Sequence, residues 1–148
     1  MNHNKKFVIT GCSGSGKTSL VEELKRLGVL TVAEGTREII ESMIREDSPN
    51  LPWKNRQQFQ MIIVRRRVAD FVTASDSHVC IFDRGLPDEI AYYLKDGLKP
   101  SEFCLDACEK FRYADMVFFC PPWPEIYTND GVRQESFSQA SHDADLVR

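Results

Sequence analysis

A chain of 148 residues with 42% hydrophobic and 28% charged residues has the make-up of one ordinary globular domain, with apolar material for a two- or three-layer core. Its apolar runs, such as 116–120, fall far short of the roughly 18 residues of a membrane span. The start Met1-Asn2-His3-Asn4-Lys5-Lys6 leads into too short a run for a signal peptide, so the expected setting is cytoplasmic, with no membrane partner. A formal charge of -3 lends no global support to a nucleic-acid partner, and the five cysteines, an odd number, read as free thiols without metal-ligand spacing.

In chain order, Phe7-Val8-Ile9-Thr10 is a first strand, and Leu20, Val21, Leu24 and Leu27 recur at helical spacing until Gly28. Residues 29–33 suit a second strand. Ile39, Ile40, Met43 and Ile44 mark a helix that Ser48-Pro49-Asn50-Leu51-Pro52 breaks, and a long helix is expected from about Lys54 to Ala74. Val79-Cys80-Ile81-Phe82 ends in Asp83 and has the uninterrupted apolar character of a strand buried on both faces of a parallel sheet. Helices over 88–95 and 101–111 follow, with Cys104 and Cys108 on one face. Met116-Val117-Phe118-Phe119-Cys120 then repeats the buried-strand pattern until Pro121-Pro122. Residues 121–130 read as loop, and the polar stretch 133–148 as weakly helical. Alternating strands and helices predict an α/β domain, 1–148, with a mostly parallel sheet.

Between the first strand and the first helix lies Gly11-Cys12-Ser13-Gly14-Ser15-Gly16-Lys17-Thr18, followed by Ser19, which fits G-x-x-x-x-G-K-[ST], the Walker A or P-loop pattern, in its confirming context. A polyphosphate needs several backbone N–H groups turned inward, hence glycines that tolerate the bends and leave room for the ligand. The helix that follows adds its positive end, Lys17 can reach β- and γ-phosphates, and the Thr18 hydroxyl can hold Mg²⁺.

Such a loop calls for an acidic group at the end of a neighbouring strand, and Asp83 stands there. It could orient Mg²⁺ through water or take a proton from an attacking hydroxyl. Arg84 can brace an acceptor or a phosphate with paired donors, or form an ordinary ion pair. Glu34 ends the second strand and is a second candidate base; its plainer reading is a cap for the next helix or a partner of Arg37. Arg133 falls in a lid-like segment, about 121–135, where it can meet a transferring phosphoryl group or remain solvated. Arg65-Arg66-Arg67 reads as a solvated helical face, with an anionic-substrate or nucleic-acid patch as the alternative, and Trp53, Phe59, Tyr92 and Tyr93 as core or rim aromatics.

Together these blocks resemble the NadR-like AAA-type ATPase domain, related to ribosylnicotinamide kinases. The likeness rests on 9–20, on Val32-Ala33-Glu34-Gly35-Thr36-Arg37-Glu38-Ile39-Ile40, on Asp83-Arg84-Gly85-Leu86-Pro87-Asp88 with Ala91-Tyr92-Tyr93, and on Pro121-Pro122 with Tyr127, Asp130, Gly131 and Arg133. The third block is also similar to thymidylate and deoxynucleoside kinases. The resemblance implies a three-layer α/β/α P-loop NTPase fold, ATP with Mg²⁺, and a phosphoryl-transfer site at Lys17, Thr18, Glu34, Asp83, Arg84 and Arg133. It names no acceptor. Four strands are visible where that pattern has a fifth, and residues 136–148 offer no evident packing partner, so truncation at the C-terminus is expected. Two functions are in view: an ATP-dependent kinase of a small, nucleoside-like acceptor, or a nucleotide-dependent regulatory module with slow hydrolysis. No Asn-Lys-x-Asp guanine signature is present.

Overall fold

A computed structural model describes residues 4–127 and 136–148. The elements are β1 (Lys6–Gly11), α1 (Lys17–Arg26), β2 (Leu30–Val32), α2 (Thr36–Arg45), α3 (Arg56–Thr73), β3 (Cys80–Asp83), α4 (Leu86–Lys95), α5 (Glu102–Lys110), β4 (Val117–Cys120) and α6 (Phe137–Val147). The four strands form one parallel sheet in the order β2-β3-β1-β4. Parallel neighbours need crossovers, which the helices supply.

Alternation along the central strands divides the core. Ile9 and Ile81 pack with Val21 of α1 on one face. Val8, Cys80 and Phe82 turn to the other, where Phe71 of α3 packs tilted against Phe82 and edge-on to Tyr113 at centroid separations of 6.3 and 5.0 Å. The α/β/α layering follows from these two faces. α4 and α5 close a further cluster of Val64, Leu86, Tyr93, Cys104 and Ala107. Met43, Leu51, Phe59 and Ile63 join α2, the 48–52 break and α3.

All four residues of β3 are buried, as its apolar run predicts. β4 departs from that expectation: Met116, Val117 and Phe118 are exposed. It pairs only with β1 among the described strands, and an edge strand has a neighbour on one side only. The expectation that 136–148 lacks a partner is also corrected. α6 packs on α4 and β1, and Ala140 and Ala144, one helical turn apart, close against Cys12 of the P-loop. Small side chains at that spacing let the helix approach closely, which a search for large apolar residues misses. Asp130 and Arg133 lie outside the described residues, as does most of the lid-like segment beyond Tyr127.

Candidate active site

The loop between β1 and α1 turns on glycines with positive φ: Gly11 at 140°, Gly14 at 75° and Gly16 at 86°. Gly16 is the residue before the first turn of α1, whose free N–H groups face the loop. Lys17 is buried, with Nζ donating to the Cys12 carbonyl and lying 3.2 Å from Ser15 Oγ. The Ser15 hydroxyl itself donates to the Cys12 carbonyl at 2.8 Å, so the loop is braced from within. Burial first, then the Arg84 guanidinium, pulls the Lys17 ammonium down to about 8, against the pull of Asp83. Ser19 is exposed on α1 and does not line the cleft.

Asp83 closes β3 with Oδ2 accepting from the Thr18 hydroxyl at 3.3 Å. Its Oδ1 is buried without a hydrogen-bond partner. Burial raises its carboxyl above the ordinary range; Lys17 and Arg84 oppose the shift and Glu34 adds to it. A hydroxyl and an unsatisfied carboxylate oxygen at the foot of a phosphate loop are the oxygen donors a magnesium ion with its water shell requires, so the residues fit that ion.

Arg84 is held more deeply than the sequence suggests. It sits at φ 70°, which a non-glycine residue adopts at a cost of about 1 kcal/mol, with its N–H donating to the Ile9 carbonyl and Nη1 to the Gly11 carbonyl at 2.9 and 2.8 Å. Asp88 stands 3.5 Å from Nη1, and the Tyr92 ring lies 5.2 Å from the guanidinium carbon. Burial opposes its charge, yet Tyr92 and the carboxylates Asp88, Glu34 and Asp83 raise its basicity overall. Asp88 has a structural task that its spacing from Gly85 could have revealed. One oxygen accepts from the Gly85 N–H at 2.8 Å at the start of α4, and the other from the Thr10 hydroxyl.

Glu34 lies across the cleft, in the turn between β2 and α2. Its carboxylate accepts from the Thr36 hydroxyl and, at 3.4 Å, from the Thr36 N–H, which makes it a cap for α2. Its basic neighbour is Arg67 at 3.6 Å, where the sequence had pointed to Arg37. Of the three consecutive arginines, Arg65 and Arg66 are exposed as expected, but Arg67 is buried against Glu89 at 3.0 Å. The sequence offers Arg67 only as one of a charge run and gives no sign of Glu89; their partnership spans two helices and leaves no local pattern.

One cleft of about 980 Å³ joins these groups: Gly11 to Gly14, Lys17 and Thr18 line one end, Asp83 and Arg84 the floor with Tyr92 beside them, and Glu34 to Arg37 the far wall, with Trp53 and Lys95 at the rim. Asp143, Leu146 and Val147 of α6 border the phosphate-loop side, and Lys95 pairs with Asp143 at 2.6 Å. Trp53 is exposed, whereas Phe59 and Tyr93 are core.

The sequence profile of the AAA domain matches residues 6–148. This chain belongs to that AAA-domain family. A solved structure of a NadR protein in complex with NR superposes with a TM-score of 0.64 at 17% identity, covering 98% of this chain and 39% of that one. The chain therefore spans about two-fifths of that protein, and the likeness concerns the fold. No curated protein matches the sequence. Family and fold together make this AAA-domain chain a P-loop nucleotide-binding domain, and no helix among the described residues is long and apolar enough to cross a membrane.

Proposed function

We propose that this domain transfers the γ-phosphoryl group of ATP to a hydroxyl of a small, nucleoside-like acceptor. The observation that carries the reading is the single cleft with a P-loop lysine at one end and a second carboxylate, Glu34, facing it across the floor. An ATPase needs only a water at the γ-phosphate; a wall of polar side chains beyond it leaves room for an organic acceptor.

The P-loop amides and the start of α1 take the polyphosphate. Lys17 exchanges the Cys12 carbonyl for phosphate oxygens and recovers full protonation beside their charge. Thr18 and Asp83 would hold Mg²⁺, which when bound neutralises charge on the β- and γ-phosphates. Glu34 takes the proton of the acceptor hydroxyl as that oxygen bonds to γ-phosphorus. The bond from phosphorus to the bridging oxygen breaks, and ADP keeps that electron pair. Arg84, fixed beneath the loop, adds positive field to the floor, and Arg133, outside the described residues, is proposed to stabilise the transferring group.

A second reading has its own support. α6 rests on Cys12 and is tied to α4 by Lys95 and Asp143, an arrangement that suits a module whose nucleotide state governs a helix. Incubation with γ-labelled ATP, Mg²⁺ and a panel of ribonucleosides including ribosylnicotinamide separates the two. Label transfer to a nucleoside is expected; slow phosphate release indifferent to every acceptor would replace the kinase with the regulatory module.

A further inference from the structure

Arg67 is 3% exposed while carrying a full charge. Its guanidinium reaches in two directions from α3. Toward α4, Nε donates to Glu89 Oε1 at 3.0 Å; toward the β2–α2 turn, Nη1 donates to the Glu34 backbone carbonyl at 2.9 Å. Nη2 makes no hydrogen bond although it is buried, and it stands 3.6 Å from Glu34 Oε1. A counter-ion for Glu89 alone would be satisfied between the two helices. The remaining edge of the guanidinium is instead spent on one residue of a turn, holding its main chain and facing its carboxylate.

We propose that Arg67 is the positioning residue of the acceptor wall: anchored on Glu89, it fixes the turn at Glu34 through Nη1 and aims the Glu34 carboxylate through Nη2. The geometry asks for arginine, because a planar fork can serve Glu89, a carbonyl and a carboxylate at once, whereas a lysine ammonium is a single point. Thr36 completes the arrangement, with its hydroxyl donating to Oε1, the oxygen Nη2 also faces, and its N–H to Oε2. Glu34 is thereby held between α2 and α3, and the precision of the far wall depends on a side chain that need not touch the acceptor. This inference rests on the reading of Glu34 as the base.

The test compares the wild-type chain with Arg67→Lys and Glu34→Gln. Hydrogen exchange at residues 34–37 should speed up about tenfold in Arg67→Lys, with the amides of 12–18 unchanged within about twofold. With Mg·ATP and ribosylnicotinamide as probe, kcat should fall about tenfold while KM for ATP holds, and adding Arg67→Lys to Glu34→Gln should cost no further turnover. Unchanged exchange in the turn, or losses that multiply in the double variant, would overturn the proposal. Glu34→Gln turning over like the wild type would sink the base assignment instead, leaving exchange to decide whether Arg67 holds the turn. If the probe is not phosphorylated, exchange alone decides. Should Arg67→Lys fail to fold, Arg67→Met with Glu89→Leu removes both buried charges together and should give the same local acceleration.

Discussion

Thr18 Oγ1 lies 3.3 Å from Asp83 Oδ2, which ties the first turn of α1 to the carboxyl end of β3. The bond spends one oxygen of a buried carboxylate and leaves the other free. A buried carboxylate oxygen without a partner costs the fold stability, which is consistent with the proposed magnesium site.

Asp83→Asn should therefore separate stability from function. The carboxyl is raised by burial, so the native state holds its proton more tightly than the unfolded chain does. That group's contribution becomes less favourable as pH rises through the window above its ordinary value of 3.8. At neutral pH, removing the charge should raise Tm by a few degrees, on the scale of about 1 kcal/mol. Turnover should drop about a hundredfold, and nucleotide binding should lose its magnesium dependence. A melting curve with and without Mg·ATP checks both; a lower apo Tm would contradict the argument.

Lys17 gives a pH dependence of opposite sense in the two states. Its ammonium is depressed from 10.5 to about 8 in the apo domain. Between those values the unfolded chain binds the proton and the native one does not, so this group's contribution to apo stability rises with pH across the window, by on the order of 3 kcal/mol at most. Nucleotide binding needs the charged form, so affinity should fall as pH rises above about 8. Calorimetric titration with ATP from pH 7 to 9.5 should show the decline in the wild type. Lys17→Ala should bind about a hundredfold more weakly, without this limb.

Gly11 tests the backbone of the loop. A Cβ there would stand 2.2 Å from the Cys120 carbonyl oxygen, at a φ of 140° that side chains rarely adopt. Its own carbonyl holds Arg84. Gly11→Ala must move either β4 or the loop floor, and should cost about 2–4 kcal/mol, read by urea denaturation, with ATP binding lost in the folded fraction. Gly28→Ala is the control, since nothing lies within 4 Å of its added carbon and only the positive φ of 87° is penalised.

What could be read from the sequence is what is local. The P-loop declares itself within eight residues because strand, bend and helix must follow one another to make an anion site. Asp83 is legible as the polar end of an apolar run, and its burial at the foot of the loop follows from the parallel pairing of β1 with β3. The order of strands has no local signature, and neither does the exposure of β4 that results from its edge position. Arg67 looked solvated because it sits in a run of three arginines; Glu89, the residue that buries it, is on another helix. The helix of α6 is legible but its packing is hidden for a different reason: its contact face is made of Ala140 and Ala144, so close approach does the work usually credited to large side chains.

Glu89 is the third place where charge and stability meet. It is 1% exposed, and burial pushes its carboxyl up to about 7 even though Arg67 holds it the other way. Because the native value exceeds the ordinary 4.5, the folded state binds more protons across that interval. The Glu89 contribution should thus be most favourable below about 4.5 and should decline as pH rises toward 7. Glu89→Gln removes the titration while keeping an acceptor for Arg67 Nε, so the wild-type minus variant stability should slope downward between pH 5 and 7 and flatten above. Glu89→Leu leaves Arg67 buried with Glu34 at 3.6 Å and the weaker field of Asp88 as its remaining acidic neighbours, and should cost about 3–5 kcal/mol, the penalty of breaking a buried pair from one side. Urea midpoints for the three proteins at half-unit pH steps decide the matter; a flat difference curve for Glu89→Gln would mean that the carboxylate stays ionised throughout and that Arg67 outweighs burial.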